Sequence, residues 1–230
     1  MTESKIDSKI DSMIDSMTES MTELKIDSKT EPKKIRKRPV VAKIICPEGV
    51  MDGCDYTKEK RQELYGVVAG GGGSKKPEDY QRQMIVKGTG RECNSTQMRI
   101  NWRRNEMVEK SHPMTEDDGF DYTENFDGKQ TFSSTVWINL KSVVGTGGSQ
   151  TRTLRDECYP FVEAQLNYLV KSKNTEYFAN IFDGDEAAKR MRKFNYLLAL
   201  PEYENVSKYV YVGDLKGYFE WLNGTILRKM

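Results

Sequence analysis

The chain has 230 residues, with 36 lysines and arginines against 35 acidic residues and a single histidine, for a net charge of +1. That balance excludes a protein that binds nucleic acid through bulk charge, so any such affinity must come from a local patch. No apolar run is long enough to span a bilayer and no signal-peptide core is visible, so a soluble, intracellular chain with no membrane partner is expected. Four cysteines (Cys46, Cys54, Cys93 and Cys158) are too few for a disulfide scaffold, and with His112 they lack the paired spacing of structural zinc sites.

Residues 1–32 divide into tetrapeptides: MTES, KIDS, KIDS, MIDS, MTES, MTEL, KIDS, KTEP. A four-residue period drifts about 40° around a helix at each repeat, so no single apolar face persists along the segment. A disordered low-complexity tail and basic linker are expected over residues 1–38. Alternatively, Ile6, Ile10, Met13, Ile14 and Met17 could form a short amphipathic helix on an unknown partner. The run Lys33, Lys34, Ile35, Arg36, Lys37, Arg38 reads as a nuclear localisation signal, a phosphate-binding arm or a solvated linker.

Residues 39–230 are expected to form one domain, with 39–110 as a possible recognition part and 111–230 as the core. Val40–Ile45 is β-like, and Lys58–Tyr65 suits one or two helical turns. Gly70–Gly73 with Ser74, Lys75 and Lys76 lacks the order of a nucleotide-binding P-loop and reads as a flexible loop. Gln83–Lys87 and Gln97–Trp102 are candidate strands. Arg99, Arg103 and Arg104 around Trp102 form a basic-aromatic cluster, read either as a phosphate patch or as a strand edge kept soluble by charge.

From Phe120 the pattern sharpens. Phe120–Phe126 and Thr135–Val144 are aromatic and β-branched, and together suggest an antiparallel hairpin. Gly145, Gly147 and Gly148 break the second strand, and Ser149 or Thr151 can cap a helix with Leu154, Cys158, Phe161, Val162, Leu166 and Leu169 at helical spacing. Pro160 predicts a kink or a later helix start. Tyr177–Phe182 is a buried-type strand, Glu186–Leu200 a helix stopped by Pro201, Tyr209–Val212 a strand and Leu215–Leu222 a last helix. This series predicts an α/β (α+β) fold, a central mixed β-sheet flanked by helices.

Period-two geometry puts Asn139 and Lys141 on one strand face, with Leu140 on the other. Asp127 can stand opposite Asn139 if the hairpin turns near Ser133-Ser134, whereas a turn at Asp127-Gly128 would carry it away from Lys141. The GGSQTRTLR stretch suits a strand-to-helix junction facing phosphate: glycines allow close approach, a helix N-terminus favours anions, and Arg152 and Arg155 add charge. Gln150 could read a base edge there, while Arg155 could instead pair with Asp156 or Glu163.

The phrase TENFDG…NLK…GGSQTRTLR resembles the PD-(D/E)XK nuclease superfamily of restriction-endonuclease-like proteins, over about residues 120–183. The resemblance implies a restriction-endonuclease-like core and a magnesium- or manganese-dependent endonuclease that hydrolyses double-stranded DNA, with a homodimer expected where both strands are cut. In that reading Asp127 is the metal-binding aspartate and Lys141 the lysine beside the attacking hydroxide. Asn139 stands where a second acid is expected. The missing carboxylate could come from Glu157 on the following helix, or from Asp156 or Glu163. Alternatively the site works with fewer acids, or the fold has kept DNA binding and lost catalysis. Gln150, Arg152, Arg155, Arg103 and Arg104 are the expected DNA contacts.

Overall fold

The computed structural model describes residues 44–66, 75–101, 104–109, 122–145, 152–172 and 176–226. The chain divides between Val40 and Val41 into two units, and every described residue belongs to the second. The tetrapeptide tail, the basic run, Gly70–Gly73, Trp102, Arg103, His112 and Gln150 lie outside the described residues.

Among the described residues are five helices and two sheets: helices α1 (Lys58–Tyr65), α2 (Lys75–Thr89), α3 (Tyr159–Ser172), α4 (Asp185–Leu198) and α5 (Leu215–Thr225), and strands β1 (Met98–Asn101), β2 (Glu106–Glu109), β3 (Tyr122–Asn125), β4 (Gly128–Thr131), β5 (Thr135–Ser142), β6 (Tyr177–Asp183) and β7 (Val210–Gly213). The strands form a three-stranded sheet in the order β2-β1-β3 and a four-stranded sheet in the order β4-β5-β6-β7. In the larger sheet β4 is antiparallel to β5, while β5, β6 and β7 run parallel. The mixed sheet flanked by helices agrees with the expectation from sequence. None of the described helices is long and apolar enough to cross a membrane.

Every residue of β6 is buried, as a central parallel strand covered on both faces must be. Alternate side chains feed two cores. Phe178 and Phe182 pack with Trp137, Val162, Leu166, Phe194 and Leu197 under α3 and α4. Ala179 and Ile181 pack with Ile138, Leu140, Ile85, Phe219 and Leu222 under α2 and α5.

Three local expectations are corrected. Gln83–Lys87 is part of α2 rather than a strand, because Gln81 and Ile85, one helical turn apart, are both buried. The segment from Phe120 does not form the first arm of the hairpin: β3 pairs with β1, and β4 pairs with β5. Ile44 and Ile45 are not in a strand. Pro160 sits in the first turn of α3, directly after a π-helical turn at Leu154–Cys158 that is itself preceded by helical Arg152 and Thr153, so the irregularity is a bulge within a continuous helix rather than a later start.

Gly184 joins β6 to α4 with φ +123°, and a Cβ there would lie 2.1 Å from the Val143 carbonyl oxygen. Both backbone strain and collision oppose any side chain. Gly184→Ala should lower unfolding stability by at least about 2 kcal/mol, measured by urea denaturation. An unchanged midpoint would show that the β6–α4 junction is not built this way.

Candidate functional site

The hairpin turns at Phe132–Ser134, with Thr131 paired to Thr135 and Gly128 to Ile138. That is the later turn, so Asp127 arrives opposite Asn139. Gly128 serves close packing rather than a turn: a Cβ there would lie 2.7 Å from Cys93 Sγ. Because β4 begins only at Gly128, paired with Ile138, β5 has no backbone acceptor from it beyond that pair. The Asp127 side chain replaces it, with Oδ2 accepting the Leu140 N–H at 2.7 Å. The carboxylate is thereby fixed on β5 between Asn139 and Lys141.

Two neighbouring residues of α2 hold this corner. Arg82 Nη1 donates to the Asp127 carbonyl at 2.8 Å and to the Cys93 carbonyl at 3.2 Å. Gln81 Nε2 donates to the Lys141 carbonyl at 3.3 Å and to Asp183 Oδ2 at 2.6 Å. Sequence patterning missed both positioning residues. The signal that could have found Gln81 was its helical spacing with Ile85 and Gly88.

Asn139 is 1% exposed and belongs to an amide network on the α3 side of the sheet. Its Nδ2 faces Asn180 Oδ1 at 3.4 Å, and that oxygen also accepts from Gln165 Nε2 at 3.0 Å. Asn180 Nδ2 is committed to Gln165 Oε1 at 2.7 Å and to the Tyr211 carbonyl at 3.3 Å. The orientation of Asn139 follows: its nitrogen must face the Asn180 oxygen. Its own Oδ1 is then a buried acceptor with no hydrogen-bond donor in the structure, an arrangement that costs about 1–3 kcal/mol unless a cation or donor meets it.

The other expected site residues are distributed as follows. Lys141 is half-buried, and Glu157 is exposed on the π turn. Arg155 grips Asp156 through two bonds of 2.6 and 3.0 Å, which raises the arginine pKa and lowers that of the aspartate. Arg152 lies 3.9 Å from Asp156. The alternative of a helix-surface pair is therefore realised for Arg155, with Asp156 as its partner. Arg104 does not join them: Lys171, in the last turn of α3, donates to its carbonyl. From Arg155 to Lys171 is roughly 24 Å of helix at 1.5 Å per residue. Among the described residues no group of three His, Cys, Asp or Glu side chains could hold a metal ion. Of the expected site residues, Asp127 and Asn139 carry oxygens of the type that a hard cation takes.

Compared with protein-family models, with curated proteins and with solved structures, the chain matches none.

Across the sheet from Lys141 lies a second polar centre. Asp183, buried at the end of β6, accepts from the Leu215 N–H at 2.9 Å as well as from Gln81. Burial pushes its carboxyl up to about 6, against the lowering effect of those two donors, and nearby Asp214 adds to the rise. Because the folded-state value lies above the unfolded one, this group favours the fold fully below about pH 4. It loses that contribution as pH rises through about 6. The difference is of the order of 3 kcal/mol. Thermal melts of wild type and Asp183→Asn across pH 4–7 should diverge, with wild type losing stability relative to the variant over that window. Parallel curves would show that Asp183 is not perturbed.

Proposed function

We propose that the chain is a divalent-metal-dependent nuclease acting on DNA phosphodiesters, with its site at Asp127, Asn139 and Lys141. The observation that carries the reading is the Asp127–Leu140 hydrogen bond, which ties a carboxylate to the backbone of β5 between Asn139 and Lys141. Asp127 and Asn139 Oδ1 would hold magnesium or manganese. The ion supplies charge neutralisation at the phosphate and activation of a water. Lys141 contributes an ammonium that stabilises negative charge gathering on the phosphate during attack. Arg82 and Gln81 keep the two strands in register so that these groups stay together. Glu157 is the candidate for a further carboxylate from the π turn, and a second copy of the chain would be needed for concerted cutting of both strands.

A second reading has its own support. Asn139 is tied into the amide network where a charged ligand is expected, so the same surface would bind DNA without cutting it.

Supercoiled plasmid separates the two. The nuclease reading predicts nicking with magnesium, none with EDTA, and a loss of about 100-fold in Lys141→Ala. Asn139→Asp, which restores a carboxylate, should lower the magnesium concentration needed. Salt-dependent binding with no nicking by wild type, and nicking gained only in Asn139→Asp, would favour the second reading. Equal nicking by wild type and Lys141→Ala would remove Lys141 from the site.

A further inference from the structure

Between the start of α3 and the outer face of α4 runs an open groove of about 760 Å³. One wall is Arg155 and Tyr159, four residues apart across the π turn. The other is Lys189, Arg192, Lys193 and Tyr196, spaced i, i+3, i+4, i+7 and so presented on one face of α4. Buried Leu154 and Phe194 form the floor, with the Phe194 ring 5.8 Å from that of Tyr159.

The charges are not equally committed. Lys189 pairs with Asp185 at 3.2 Å and with Glu186 at 3.5 Å, Arg190 pairs with Glu186 at 3.3 Å, and Arg155 is held by Asp156. These are helix-surface pairs that hold acids of the first turn. Arg192 and Lys193 are exposed and make no ion pair among the described residues. Beside them Tyr196 is 68% exposed, an unusual position for an aromatic ring. Two uncommitted cations one helical turn from an uncovered ring, over an apolar floor, are complementary to a ligand with both anionic groups and flat apolar faces.

We propose that this groove binds single-stranded nucleic acid, with Arg192 and Lys193 on backbone phosphates and Tyr196, backed by Tyr159, as a stacking platform for bases. In a duplex the base faces are covered by their neighbours, so an aromatic platform gains only from unpaired bases. From Lys189 to Tyr196 the wall runs roughly 10 Å, the rise of about three stacked nucleotides. The groove does not depend on hydrolysis at Lys141. None of its lining residues belongs to that site except Arg155, which was expected from sequence to touch DNA.

Fluorescence anisotropy with the full chain tests it, using labelled oligothymidylate, oligouridylate and a duplex of equal length, with polyglutamate as a competing polyanion. Single strands should bind about tenfold tighter than duplex, and the two labelled homopolymers separate DNA from RNA. Tyr196→Ala should weaken binding about tenfold with the salt dependence unchanged. The double variant Arg192→Ala, Lys193→Ala should weaken it and lower the salt slope by about 1.4. Equal affinity for duplex, efficient competition by polyglutamate, or no effect of Tyr196→Ala in a variant with a wild-type melting curve would each overturn the proposal.

Discussion

The buried carboxylate of Asp183 is the constraint on which the rest of the domain turns. It stands at the end of the fully buried strand β6 and accepts bonds from Gln81 of α2 and from the first amide of α5. Two helices that are distant in sequence are thereby locked to the same strand end. Gln81 passes the constraint on, because its amide also holds the Lys141 carbonyl of β5. A buried acid gains little stability of its own and costs desolvation. What it contributes is position: Gln81 and Arg82 meet the two strands that carry Lys141 and Asp127.

The candidate site follows from where β4 begins. Before Gly128 the chain lies outside the four-stranded sheet, and the Phe126 N–H joins Met98 of the smaller sheet. β5 continues alone along that flank, and the Asp127 side chain takes over its exposed ladder. An aspartate at a strand end thus acquires a fixed orientation from ordinary sheet chemistry. On the opposite flank Asn139 is held by Asn180 and Gln165, three amides that satisfy one another apart from a single oxygen. A charged residue at position 139 would have to be buried beside this network, so asparagine there suits the packing.

Much of the fold was legible because it rests on periodicity. β5, β6, β7, α1, α3, α4 and α5 follow from alternation or helical spacing, and the shared face of Asn139 and Lys141 is a consequence of period two. What was not legible depends on polar contacts made at long range. Gly128–Thr131 does not look like a strand, yet Gln130 is buried, its amide donating to Thr89 and Arg91 while its oxygen accepts from Tyr218. The window Gln83–Lys87 is too short to separate a strand from a helix, and the arbitrating residue, Gln81, is polar. Asp183 was visible only as the end of a strand, since nothing local signals that it faces Gln81 from 102 positions away. The groove face of α4 was present in the sequence as a repeat of cations and Tyr196, but charge runs on helices are ordinarily solvated surface and carry no partner information alone.

The central claim is that Asp127 and Asn139 form a cation site on β5. The most direct measurement is paramagnetic broadening of backbone amide resonances on titration with manganese. The account predicts selective broadening of the Leu140 amide, with its β5 neighbours, at concentrations that leave α5 sharp, and loss of the effect in Asp127→Asn. Uniform weak broadening across the domain, or a strong focus elsewhere that survives Asp127→Asn, would contradict it.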